Sequence, residues 1–105
     1  MALPDRKDLM AREIAHAAGR YIVINSNKQS LITVTRADIS PDFAQALIYV
    51  SVLPEEQEKP ALDFLKRSRG DFRNWILDEM RFNRVPTFDF AIDIGEKNRL
   101  KVQNL

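Results

Sequence analysis

A chain of 105 residues, 45% apolar and 30% charged, is the size of one domain with material for a single core, which excludes an intrinsically disordered segment. Sixteen basic residues against fifteen acidic leave a net charge of +1, too little by itself to mark a nucleic-acid binder. With no cysteine there is no disulfide, thiolate metal site or cysteine nucleophile.

No apolar run approaches the roughly eighteen residues of a membrane helix, so no membrane partner is expected. The opening stretch MALPDRKDLMARE mixes acids with bases around no apolar centre, unlike a secretory signal or transit peptide. A cytoplasmic location is compatible with all of this.

Residues 5–24 are predicted to form the first helix. Met10, Ile14, Ala17 and Tyr21 recur at helical spacing, with Ala18 and Ile22 beside them. Pro4 marks its entry, and Asp5 and Asp8 suit its start. The polar run from Asn25 to Ser30 is a loop.

Leu31 to Ile39, rich in β-branched residues, predicts a strand, and Ser40-Pro41-Asp42 a turn. Phe43 to Leu53 alternates, with Ala44, Ala46, Ile48, Val50 and Val52 on the side expected to meet the helices. Pro54 ends it. Glu55, Glu56 and Glu58 then suit the positive end of the next helix better than a metal site.

Pro60 to Arg84 reads as two helices meeting at Gly70. Ala61, Leu62 and Leu65 form the apolar row of the first, and Phe72, Trp75, Ile76 and Met80 that of the second. Past Val85-Pro86, Phe88, Phe90, Ile92 and Ile94 alternate with Thr87, Asp89, Ala91 and Asp93, the strongest period-two signal in the chain. Asp89 and Asp93 fall on the face expected to meet solvent. Gly95 closes the strand, and Glu96 to Leu105 reads as a mixed-charge tail; it and residues 1–4 are the expected flexible ends of a single domain spanning 1–105.

The predicted order is helix, strand, strand, helix, helix, strand. A hairpin followed by a helical crossover gives an α+β fold with a three-stranded sheet covered by helices.

Enzymatic chemistry finds no support. There is no Walker loop, G-x-G-x-x-G or G-x-S-x-G, and the three glycines are scattered. His16, the only histidine, lacks a His or Cys partner for a metal, and no cofactor is expected.

The charge speaks through its clustering. From Lys66 to Arg84, six basic residues (Lys66, Arg67, Arg69, Arg73, Arg81, Arg84) face three acidic ones, a local net of +3 in a chain of +1. One reading is a solvated helix surface. The other is an anion-binding surface, since the cations straddle a glycine and lack the Glu-to-Lys spacing that stabilises a helix for its own sake.

Two stretches, LITVTRADISPDFAQALIYVSVLPEE (31–56) and FLKRSRGDFRNWILDEMRFNRVPTFDF (64–90), strongly resemble the ribosome-binding factor A family, bacterial small-subunit assembly factors. The resemblance runs from Leu31 to the GEKNR ending at Arg99. It implies a type II KH-like fold in the order already derived. The family's kink between the paired helices is written Ala-x-Gly; here it is Ser68-Arg69-Gly70. Where the family has an acidic-proline-arginine turn before the first strand, this chain has Asn25 to Ser30.

The implied function is binding, by a monomer, to the small ribosomal subunit and its ribosomal RNA during maturation. The implied RNA-binding residues are Lys66, Arg67, Ser68, Arg69, Gly70, Arg73, Arg81 and Arg84. The cations would neutralise phosphates, and Gly70 would let the RNA backbone approach. The alternative is a KH-like protein-interaction module whose basic face meets an acidic partner.

Overall fold

Where the apolar spacing changes from helical to alternating, the chain changes element. The computed structural model describes residues 5–80 and 84–103. In order they form α1 (Arg6–Asn25), β1 (Leu31–Ile39), β2 (Gln45–Leu53), a 3-10 turn (Glu55–Gln57), α2 (Glu58–Arg67), α3 (Arg69–Met80), β3 (Thr87–Ile92) and α4 (Ile94–Gln103). The expected order is present, with α4 added.

The sheet runs β1-β2-β3, with β1 antiparallel and β3 parallel to β2. On β2, Ala46, Ile48, Val50 and Val52 are buried, as the alternation predicts. They carry Phe88 and Phe90 opposite them on β3. On β1 a register shift at Thr35 puts Ile32 and Val34 on the same face as Ala37 and Ile39. An extra residue in one strand is what permits this change of parity.

Helix α1 lies against β1, while α2 and α3 lie against β3. Phe72, Phe90, Ile14, Ile48, Leu65 and Ile76 are the largest fully buried side chains of the resulting core. Phe64, Trp75 and Ile92 pack at its margin. Tyr21, Phe72, Trp75 and Phe88 form an aromatic cluster, with Phe72 and Phe88 edge-to-face at 4.8 Å.

Four boundaries differ from the sequence expectation. Phe43 and Ala44 belong to the β1–β2 turn rather than to β2, with Phe43 at φ 60°. Ser40 organises that turn. Its N–H donates to the Gln45 carbonyl, its carbonyl accepts from Phe43, and its hydroxyl donates to Asp42.

The two paired helices meet at Ser68, not Gly70. The Ser68 N–H donates to the Phe64 and Leu65 carbonyls and its hydroxyl to the Phe64 carbonyl, while its own carbonyl accepts from Phe72. Gly70 lies inside α3, without a positive φ.

The stretch from Glu96 to Gln103, read from sequence as a tail after the strand, is helical, and Gly95 belongs to the same helix. Finally, Asp93 is not on a solvent face; it is buried and begins α4 by accepting a hydrogen bond from the Glu96 N–H at 3.0 Å. Lys97 holds α4 to the start of α2 through Glu55 at 2.8 Å and Glu58 at 3.1 Å. Residues 1–4, also expected to be flexible, lie outside the described residues.

Candidate nucleic-acid interface

The helix joint delivers its cations to one end of the sheet. There a groove of about 760 Å³ lies between the first turns of α3, the start of β3 and the β1–β2 turn. Its lining includes Arg69, Gly70 and Arg73 of α3, Ser40 of the turn, Gln45 of β2, and Thr87 and Asp89 of β3. Arg69 and Arg73 lie one turn apart within α3, so both face the same space.

Neither arginine hangs free. Arg69 Nε donates to the Lys66 carbonyl at 2.9 Å, and one of its terminal nitrogens lies 3.5 Å from Asp89 Oδ1. Arg73 donates to the Val85 carbonyl at 3.3 Å, which ties α3 to the segment before β3. Its Nε is buried and has no hydrogen-bond partner among the described residues. The donors left over for an anion are terminal N–H groups of this guanidinium, not the buried Nε.

Lys66 reaches Asp89 from α2, with Nζ 2.8 Å from Oδ1. Burial raises the Asp89 pKa. The hydrogen bonds from Lys66 and the Phe90 N–H, with the charges of Lys66 and Arg69, outweigh that effect and hold the carboxyl below its ordinary range.

The eight residues assigned from sequence therefore divide. Arg69, Gly70 and Arg73 meet in the groove, and Lys66 joins them through Asp89. Arg67 is exposed on the last turn of α2, outside the groove lining. Ser68 is only 8% exposed with its hydroxyl committed to the helix, so it serves the joint and is withdrawn from solvent. Arg84 is exposed, close enough to Asp42 to help hold that carboxyl low, after the larger effects of the Ser40 hydroxyl and the Ala44 N–H. Arg81 lies outside the described residues.

Gly70 is exposed, and an added Cβ would meet no atom within 4 Å. The chain itself does not require glycine there. Asp89 is the residue that sequence reasoning missed; its place in the period-two pattern gives its face but not the helix end that passes it. Among the described residues no cluster of three or more acidic or histidine side chains could hold a metal, and no helix is long and apolar enough to cross a membrane.

A sequence model of ribosome-binding factor A matches residues 6–105, nearly the whole chain. The chain belongs to the ribosome-binding factor A family.

A ribosome-binding factor A from Fervidobacterium nodosum is 31% identical over 78 residues, which is 73% of this chain and 62% of that protein. The chain thus spans about three-fifths of the length of such curated relatives. The crystal structure of ribosome-binding factor A from Thermus thermophilus superposes with a TM-score of 0.74 at 22% identity, covering 84% of this chain and 97% of that one. A Thermus thermophilus ribosome-binding factor A model fitted into a cryo-electron microscopy map of its complex with the 30S subunit gives 0.72 at 23% identity, covering 82% and 93%. At these identities the two structures show the shared KH-like fold.

Proposed function

We propose that the chain is a small-subunit assembly factor that binds the 30S subunit and its ribosomal RNA during maturation, in the cytoplasm, as a monomer and without catalysing a reaction. The observation that carries this reading is the groove in which Arg69 and Arg73 stand on either side of an open Gly70, in a chain of this family. The Thermus relative was fitted in a 30S complex, which supports the choice of partner.

Phosphate is the chemistry this groove suits. Two guanidiniums offer paired donors to a planar or tetrahedral anion, and the bare helix surface at Gly70 admits a nucleic-acid backbone. Lys66, Arg67, Arg81 and Arg84 extend the positive field on either side of the arginines in sequence. Ser68 contributes by holding the joint.

A second reading, an acidic protein partner, is favoured by one observation: a carboxylate, Asp89, already fits against Lys66 and Arg69. Sedimentation separates the two. The expected result is cosedimentation with free small subunits but not with assembled ribosomes, and loss of binding on adding unrelated single-stranded RNA. Binding that resists RNA competition would transfer the groove to a protein partner.

A further inference from the structure

Two carboxylates stand in a groove whose cations are proposed to meet phosphate. Asp38, on β1, is tied to Arg36 at 2.5 Å, away from the helix joint. Asp89 is different. One oxygen, Oδ1, faces Lys66 Nζ at 2.8 Å, the Phe90 N–H at 2.8 Å and an Arg69 terminal nitrogen at 3.5 Å. Two cations and a backbone N–H around one anionic oxygen form the surroundings that a phosphate oxygen would seek at the same place.

The side chain is also accessible, 47% exposed, beside Lys66 at 40% and Arg69 at 48%. Ion pairs this wet are individually weak, so an incoming phosphate can replace the carboxylate cheaply. While unbound, the same pairs keep two long, entropically costly side chains ordered and partly neutralised.

Resting on the phosphate-binding reading above, we infer that Asp89 is a built-in competitor for phosphate. It holds Lys66 and Arg69 in the unbound protein and releases them when RNA enters the groove. Its consequence is selectivity. An RNA that fills the groove recovers both cations, whereas a polyanion that only grazes the surface meets a site already occupied.

The test compares Asp89→Asn with Asp63→Asn, an equal charge change on an exposed residue of α2. Each variant of the whole 105-residue chain is titrated with a single-stranded RNA of about twelve nucleotides across a salt series. Asp89→Asn is expected to tighten binding about three- to fivefold beyond Asp63→Asn, the scale of one exposed ion pair expressed as affinity. Its logarithmic salt slope steepens by about 0.7 for each cation released. In a Lys66→Gln/Arg69→Gln background the advantage vanishes.

Equal effects of Asp89→Asn and Asp63→Asn, weaker binding by Asp89→Asn, or a gain that persists without Lys66 and Arg69 would each overturn the inference. Asparagine preserves an acceptor for the Phe90 N–H. If it nevertheless lowers the melting temperature below the assay, Asp89→Ser on the same backbone N–H repeats the comparison. An Arg69→Gln/Arg73→Gln protein distinguishes the two levels of failure. If that pair leaves RNA binding untouched, the groove reading has failed. If it weakens binding while Asp89→Asn matches Asp63→Asn, Asp89 alone has been misassigned.

Discussion

Asp89, within β3, and Asp93, just past its end, lie four residues apart on the same face of the same alternating pattern. Asp89 is 47% exposed and shared between cations from two helices. The Asp93 side chain is 12% exposed; it accepts from the Thr35 hydroxyl at 2.5 Å and from the Glu96 N–H, with Arg36 at 3.8 Å. The difference arises from what the rest of the chain brings over each end. Helix termini carrying exposed cations arrive at Asp89, whereas the bulged residue of β1 and the first turn of α4 close over Asp93. If the inference above holds, Asp89 exchanges its partners, while Asp93 keeps its own.

The hardest blow to both ends is to remove their common support. Phe90 sits between the two aspartates, 1% exposed and tilted against Phe72 at 6.1 Å. Phe90→Ala should cost about 3–5 kcal/mol in denaturant titration, the range for emptying a buried aromatic site. A loss below about 1 kcal/mol would show that β3 is not anchored by its inner face.

Next comes the fixed end. Asp93→Ala removes a helix cap and the partner of a part-buried hydroxyl, and should cost about 1–3 kcal/mol. The sign of its pH dependence follows from the direction of the shift. The Thr35 hydroxyl first, then the Glu96 N–H, hold the Asp93 pKa below the ordinary carboxylate value, against the opposing effect of burial. Its stabilisation is therefore complete above about pH 4 and is lost as pH falls through the lower folded value. The stability gap between wild type and Asp93→Ala should close on acidification. A gap that widens there would contradict the assignment.

The smallest effect belongs to the groove end. Gly70→Ala is expected to stabilise the fold by up to about 1 kcal/mol, because Gly70 is helical, open and without positive φ. Destabilisation in thermal melts would mean that the joint needs glycine after all. Combined with weaker RNA binding, the stabilisation would locate glycine's value in ligand approach.

How much of this was legible in the sequence depends on whether a signal is local. The alternation of Ala46, Ile48, Val50 and Val52 and the helical rows of Ile14, Ala17 and Tyr21 specify their buried faces directly. The cation cluster is equally visible, and Arg69 and Arg73 do share a groove.

The break between α2 and α3 was misplaced because glycine is the louder punctuation. Ser68, by returning its hydroxyl and N–H to the preceding turn, ends α2 without a residue of special φ. For α4 a local signal existed: Asp93 followed three residues later by Glu96 is the spacing of a helix start. Gly95 between them made the stretch read as a strand end. The environment of Asp89 has no local signal at all, since Lys66 lies 23 positions away and the meeting is a product of the fold.

The groove itself is tested most directly by the salt dependence of binding to purified small subunits. Wild type is compared with Arg69→Gln/Arg73→Gln, and with Arg6→Gln/Arg12→Gln on the exposed side of α1 as the matched charge control. Arg73→Gln should cost only about 1 kcal/mol of stability through its bond to the Val85 carbonyl, so both proteins remain folded in the assay. If RNA sits in the groove, the groove pair weakens binding and flattens the logarithmic salt slope by roughly 0.7–0.9 for each phosphate no longer neutralised, while the α1 pair has the smaller effect. A groove pair that binds with the wild-type slope would take RNA out of the groove, and an α1 pair that proves more damaging would place the binding face on the first helix instead.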